Sequence, residues 1–242
     1  MLNAPSATFS KTQDAYERLR ADLLTCRLRP GVRLKTNELC ELLGVNLSAI
    51  REALSRLTAE GLVVAEPQRG FRVAPISIEE LRDLTAVRIE IEGLCIARTI
   101  SVGDIGWESR LVASFHRLSH TPEREPDDPT RLNEAFAVAH ADFHEALVGA
   151  CDSPWLMRLR SLLYAQTERY RRLSVPLGRE ARDLNREHQG LMEAALARDV
   201  KLCQALMARH LDVTARVLVE EAHLDAHLGD GTRTPVLLAV RG

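Results

Sequence analysis

Eight histidines carry the densest potential chemistry in this 242-residue sequence. His140 and His144 are four residues apart, so on a helix they share one face. His188 and His210 each lie eleven residues from Asp199, where Arg198-Asp199 interrupts a helical pattern. In an antiparallel helical hairpin, equal distances from the turn bring two residues to one level. The four imidazoles are therefore candidates to converge inside a helical bundle, where facing helices build metal sites. An all-nitrogen ligand set suits zinc or nickel. The same spacing recurs at His116/His120 and His223/His227. Those two pairs read as surface, because one borders the Pro-rich run TPEREPDDPT and the other precedes Gly229.

A second set lies in the N-terminal third. Asn46, Ser48, Arg51, Ser55 and Arg56 form the polar side of a helical pattern whose apolar side is Ile50, Leu54 and Leu57. A helix that presents Asn, Ser and Arg near its N-terminus can enter the DNA major groove, where Arg reads guanine. Gln68-Arg69-Gly70 forms a hairpin tip that can approach a phosphate backbone closely. Lys35, Asn46, Ser48, Arg51, Arg56, Arg69 and Gly70 are the candidate contacts to double-stranded operator DNA. A generic three-helix protein-binding module with a solvated arginine face fits the pattern alone as well.

These residues need elements to hold them. Helical periodicity covers about Thr12–Arg27, Asn37–Leu43 and Leu47–Glu60, with Gly44 suited to a left-handed cap. Leu62–Val64 and Phe71–Val73 read as strands around a Pro/Gly turn. Ser77 to Glu80 has the spacing of a capping box and opens a helix to about Thr99. Further helical blocks span about Asp104–Ser119, Arg131–Val148, Pro154–Arg172, Glu180–Arg198 and Val200–Leu228, with a loop over Thr121–Thr130. The expected fold is mainly α: a winged helix-turn-helix with a small β-hairpin wing, then an all-α helical bundle. The expected boundaries are a flexible 1–10, a DNA-binding domain 11–75, an effector-binding domain 76–228 and a flexible tail 229–242.

Composition agrees. Hydrophobic residues make up 45%, charged residues 27% and aromatics only 4%, with a net charge of −2. Residues 1–75 hold eleven Lys+Arg against eight Asp+Glu, and the remainder twenty-one against twenty-six. A basic N-terminal third on an acidic body fits a nucleic-acid surface joined to another task. No apolar run reaches the ~18 residues of a membrane span, and no signal-peptide pattern opens the chain. The five cysteines are widely spaced without C-x-x-C, which points to reduced thiols in the cytoplasm. No H-E-x-x-H, phosphate loop or Ser/His/Asp arrangement marks an enzyme.

The stretch LRPGVRLKTNELCELLGVNLSAIREALSRLTAEGLVVAEPQRGFRVAP resembles the DNA-binding domain of GntR-family transcription regulators. Arg51-Glu52-Ala53-Leu54, Leu57 and Glu60-Gly61-Leu62-Val63 carry the likeness. Leu47-Ser48-Ala49 stands where the family usually has Arg-Thr-Pro after the Ser, so one common contacting arginine is absent. Asp142 to Leu147, Ser153-Pro154-Trp155-Leu156, Glu187-His188 and Met207 to Leu211 resemble the FCD effector domain of the FadR-type branch. CDSPWL and RYRRL are similar to CsiR-type members.

The resemblance implies a divalent metal held by an Asp or Asn, a His four residues on, and two later His. His144, His188 and His210 match. The first position falls on His140, while Asp142 is two residues off register. The implied centre is a four-histidine one, and its neutral ligands leave the metal its full charge. Arg88 matches an arginine that often points into the family's pocket, although an intrahelical pair with Glu92 fits it too. Together they imply a small carboxylate or dicarboxylate effector. A homodimer is expected, because two winged domains read a two-fold operator. The alternative is a metalloregulator in which the metal is itself the signal.

Overall fold

The computed structural model describes residues 11–174 and 183–227, without side chains at 129, 130, 173, 174, 218 and 220–227. The flexible segments expected at 1–10 and 229–242, the Glu180 helix start and the side chains of His223 and His227 lie outside the described residues. The described residues are mainly helical and form two compact units that divide after Ser77.

The first unit runs α1 (Lys11–Leu24), β1 (Arg33–Leu34), α2 (Thr36–Leu43), α3 (Leu47–Ala59), β2 (Val63–Glu66) and β3 (Gly70–Val73). Ala15, Leu19 and Leu23 on α1 meet Ile50, Ala53, Leu54 and Leu57 on α3 in one buried cluster. Each fully buried leucine contributes roughly 1.5–3 kcal/mol, and this seam fixes α3's outward face. The α2–α3 turn is tight because Gly44, at φ 66°, donates its N–H to the Cys40 carbonyl. Only glycine adopts that left-handed backbone without a Cβ penalty. Asn46 then starts α3 by accepting from the Ala49 N–H at 2.9 Å.

The antiparallel sheet has the order β1-β3-β2, with Val63 opposite Val73 and Glu66 opposite Gly70. Strand β1 was not expected. It is two residues long, and its identity comes from pairing Arg33 with Arg72 and Leu34 with Phe71.

The second unit comprises α4 (Ile78–Val102), α5 (Ile105–Ser119), β4 (Arg124–Glu125), β5 (Asp128–Leu132), α6 (Glu134–Leu147), α7 (Pro154–Ser174), α8 (Leu184–Leu196) and α9 (Val200–His227). Helix α4 packs on α7 and α9, α5 on α6 and α8, and α8 on α9. The loop expected over 121–130 instead forms the β4–β5 hairpin, with Glu125 opposite Asp128. Helix α6 accordingly starts later than Arg131. Asn133 caps it by accepting from the Ala135 N–H at 2.9 Å.

The core of this unit joins Cys95, Ile96, Trp107, Leu111, Phe143, Leu147, Leu191 and Met207. Trp107 donates its indole N–H to the Ala146 carbonyl at 3.0 Å, and Thr99 donates to the Val148 carbonyl at 2.9 Å. Along α4 the buried face changes character. Cys95, Ile96 and Ile100 are apolar, whereas Thr85, Arg88 and Glu92 are buried and polar. Buried polar groups require partners: Thr85 donates to the Leu81 carbonyl of its own helix, whereas the partners of Arg88 and Glu92 lie around the histidines.

Candidate functional site

Helix α3 turns Ile50, Ala53, Leu54 and Leu57 inward, which leaves Ser48, Arg51, Glu52 and Ser55 exposed along one face. Arg51 has no ion pair or hydrogen bond among the described residues, so its guanidinium is available. Lys35 is exposed and paired with Glu38 at 2.7 Å, a surface contact that phosphate can displace. Asn46 uses its Oδ1 in the cap and keeps an NH2 donor. Arg69 and Gly70 are exposed at the wing tip, where Gln68 and Gly70 have φ 62° and 89°.

Arg56 is exposed on α3 as well and has partners on α1. It donates to Gln13 Oε1 at 2.8 Å and lies 3.8 Å over the Tyr16 ring. It therefore also helps to dock α1 onto α3, from the exposed rim of their contact.

In the second unit His140, His144, His188 and His210 come together. One nitrogen from each lies within 4.8 Å of the other three, and all four residues are buried. Helix α6 places His140 and His144 side by side, with Nε2 atoms 3.2 Å apart. The α8–α9 hairpin brings His188 and His210 level, with ring centroids 4.8 Å apart. Its turn is at Arg198, φ 60°, and Asp199 accepts from the Leu202 N–H at 2.9 Å to begin α9. Asp142 is exposed and away from the cluster.

Two of the rings are oriented by their neighbours. His188 Nδ1 donates to the Leu184 carbonyl at 2.7 Å, and His210 Nδ1 donates to Glu187 at 2.8 Å. Each leaves a lone pair on Nε2, which is how outer partners prepare histidine for a metal. Nitrogens ~2.0–2.1 Å from a tetrahedral zinc are ~3.3 Å apart, close to the His140–His144 separation; the wider pairs must close in. His144 Nδ1 is buried with no hydrogen-bond partner among the described residues, whichever imidazole carries the shared proton. The donor set thus fits a divalent cation.

Electrostatics favour the same reading. Burial first, then the Arg171 guanidinium and neighbouring imidazoles, holds His140 well below the usual imidazole range. Burial and then the other three histidines, with Arg88, do the same for His144. Both rings stay neutral, the form that ligates.

A stability prediction follows. In the metal-free chain, unfolded histidines take up protons below about pH 6.5 while folded His140 and His144 do not. Stability is then fully present above that pH and falls as pH drops below it. The melting midpoint of chelator-treated protein should be level from pH 8 to 7 and decline toward pH 5.5, more steeply than in the His140→Gln variant. Equal slopes would show that the rings are hydrated. Proton competition with metal should likewise set in below, not at, the ordinary imidazole value.

Comparison with known proteins decides what carries these sites. Residues 11–73 match the model of the gntR family of bacterial regulatory proteins, and residues 83–213 match the FCD domain. The chain belongs to the GntR family, in its FCD-containing branch. It is 43% identical over 209 residues to the uncharacterized HTH-type transcriptional regulator BphR of Paraburkholderia xenovorans, covering 86% of this chain and 85% of that protein. It is 31% identical to the HTH-type transcriptional repressor GlaR of Escherichia coli, covering 86% and 96%. The E. coli McbR/YncC structure shares the fold, with a TM-score of 0.74 at 21% identity over 88% of this chain and 99% of that one. The GntR/FCD chain is thus a DNA-binding transcription regulator and not an enzyme.

Several contacts around the FCD histidines go beyond what the sequence distinguishes. Glu92 is fully buried between Arg160 at 2.9 Å and Arg88 at 3.4 Å. Tyr164 sits 3.5 Å from His140 Nδ1 and under the Arg88 guanidinium at 4.9 Å. Arg171 and Arg172 both pair with Glu168. Charged residues on a helix normally read as solvated, and nothing local marks these as buried. His116 and His120 are exposed, with their rings tilted against each other at 4.3 Å between centroids. Among the described residues no helix is long and apolar enough to cross a membrane.

Proposed function

We propose that this regulator acts in the cytoplasm as a homodimer on two-fold operator DNA and senses a small carboxylate or dicarboxylate. In this reading His140, His144, His188 and His210 hold zinc or nickel, and the convergence of those four buried rings carries the reading. When bound, the metal supplies a Lewis-acidic position for an oxygen ligand. Arg88 supplies the second anchor. It is 5% exposed, and among the described residues its Nε has no hydrogen-bond partner and its one carboxylate, Glu92, sits closer to Arg160. An under-paired buried guanidinium is costly, and a carboxylate satisfies it with two parallel bonds. Arg51 and Ser48 read the major groove, Lys35 and Asn46 meet phosphates, and Arg69-Gly70 reaches the backbone from the wing. The name of GlaR states repression for that relative, and we read the action here as repression as well.

A thermal-shift panel of two- to six-carbon mono- and dicarboxylates tests the sensing step on zinc-loaded and chelator-treated protein. A binder at a hundred times its Kd should raise the midpoint by roughly 5–10 °C in the loaded form only. Stabilisation by zinc with no response to any carboxylate would instead make the metal itself the signal. Sedimentation should show twice the 27.0 kDa of one chain. A single-chain species at micromolar concentration, with and without DNA, would contradict the dimer.

A further inference from the structure

Arg160 on α7 is 2% exposed, and each nitrogen of its guanidinium donates a hydrogen bond. Nε donates to Glu92 Oε2 at 2.9 Å, Nη1 to Glu145 Oε2 at 2.6 Å, and Nη2 to the main-chain carbonyl of His144 at 2.7 Å. That carbonyl is one of the last four of α6, which a helix leaves without an internal donor. A cation is also favoured there by the helix dipole. Arg160 thus closes the turn that carries His144, while its other end grips a carboxylate on α4.

Glu92 is fully buried, and its remaining oxygen faces Arg88. One arginine therefore ties the helix bearing two imidazoles to the helix bearing the free-edged guanidinium. We propose that Arg160 is a positioning residue of the histidine centre: it fixes His144 through its carbonyl and holds Glu92 beside Arg88. It does this without contributing a ligand. The inference rests on the metal reading above.

A lysine in its place keeps the charge but not the planar fork that serves three acceptors in fixed directions. A methionine keeps the bulk and removes every bond.

Cobalt(II), whose visible absorption reports coordination geometry, and zinc, by chelator competition, are the probes. Arg160→Met should lower affinity for both ions by roughly 10–100-fold and weaken and shift the cobalt band. Arg160→Lys should give a smaller change in the same direction and serves alone if the methionine variant does not fold. Arg198→Met is the control. Arg198 donates to the Ile100 carbonyl at 2.9 Å and pairs with Glu108 at the α8–α9 turn, about 15 Å along α8 from His188. It should lower the melting midpoint while leaving the cobalt spectrum and both affinities unchanged. Wild-type affinity and spectrum in the Arg160 variants would overturn the inference alone. An Arg198→Met protein with the same spectral change would overturn it too, by showing general loosening. A wild type that takes up neither ion would overturn the metal reading and this inference together.

Discussion

His188→Ala should bind zinc at least about 100-fold more weakly than the wild type, since losing even an outer partner of a ligand costs 10–100-fold. His188 is 1% exposed, and its ring lies among His140, His144 and His210 at centroid distances of 5.1, 5.3 and 4.8 Å. Its Nδ1–H is fixed on the Leu184 carbonyl, so its Nε2 lone pair is already aimed. Alanine removes that donor and leaves three imidazoles. The carboxylate response should vanish with the metal, because Arg88 alone is a single anchor. Operator binding by the metal-free variant should match that of chelator-treated wild type, since α3 belongs to the other compact unit. His116→Ala, an exposed change, should alter neither property. Retained zinc affinity in His188→Ala would remove His188 from the centre.

Arg51→Ala should weaken specific operator binding by roughly 1–3 kcal/mol, about 5- to 150-fold at fixed salt. The side chain is exposed on α3 without a partner among the described residues, so folding should change by less than ~0.5 kcal/mol. Discrimination against a changed guanine in the half-site should fall in parallel, because a base contact carries sequence information and a phosphate contact does not. Arg56→Ala makes the opposite prediction. Removing its contact with Tyr16 and Gln13 should lower stability, with a smaller and sequence-independent effect on DNA binding. Equal loss of specificity in both variants would mean that α3 meets DNA by its other edge.

Much of this architecture was legible locally. Gly44 announced the tight turn before α3 because a left-handed cap needs glycine. The equal distances of His188 and His210 from Asp199 implied one level in a hairpin, since both helices rise at the same rate per residue. Elements defined by distant partners were not legible. Strand β1 has no alternation of its own and exists through β3, whose paired residues lie 37 and 39 positions later. The β4–β5 hairpin lies in a Pro-rich polar run that reads as loop. Arg160 and Glu92 are 68 residues apart, and their burial becomes visible only when α4 and α7 pack. The contacts of Arg56 with Gln13 and Tyr16, 43 and 40 positions earlier, likewise become visible only when α1 packs on α3.

Metal stoichiometry of the wild type tests the central claim most directly. Purified protein, stripped with chelator, dialysed against micromolar zinc or nickel and then against buffer, should carry one ion per chain by elemental analysis. The single-alanine variants at His140, His144, His188 and His210 should each lose most of it, while His116→Ala retains it. A wild type that stays metal-free, or equal metal content across all of these variants, would contradict the four-histidine centre and the carboxylate sensing built on it.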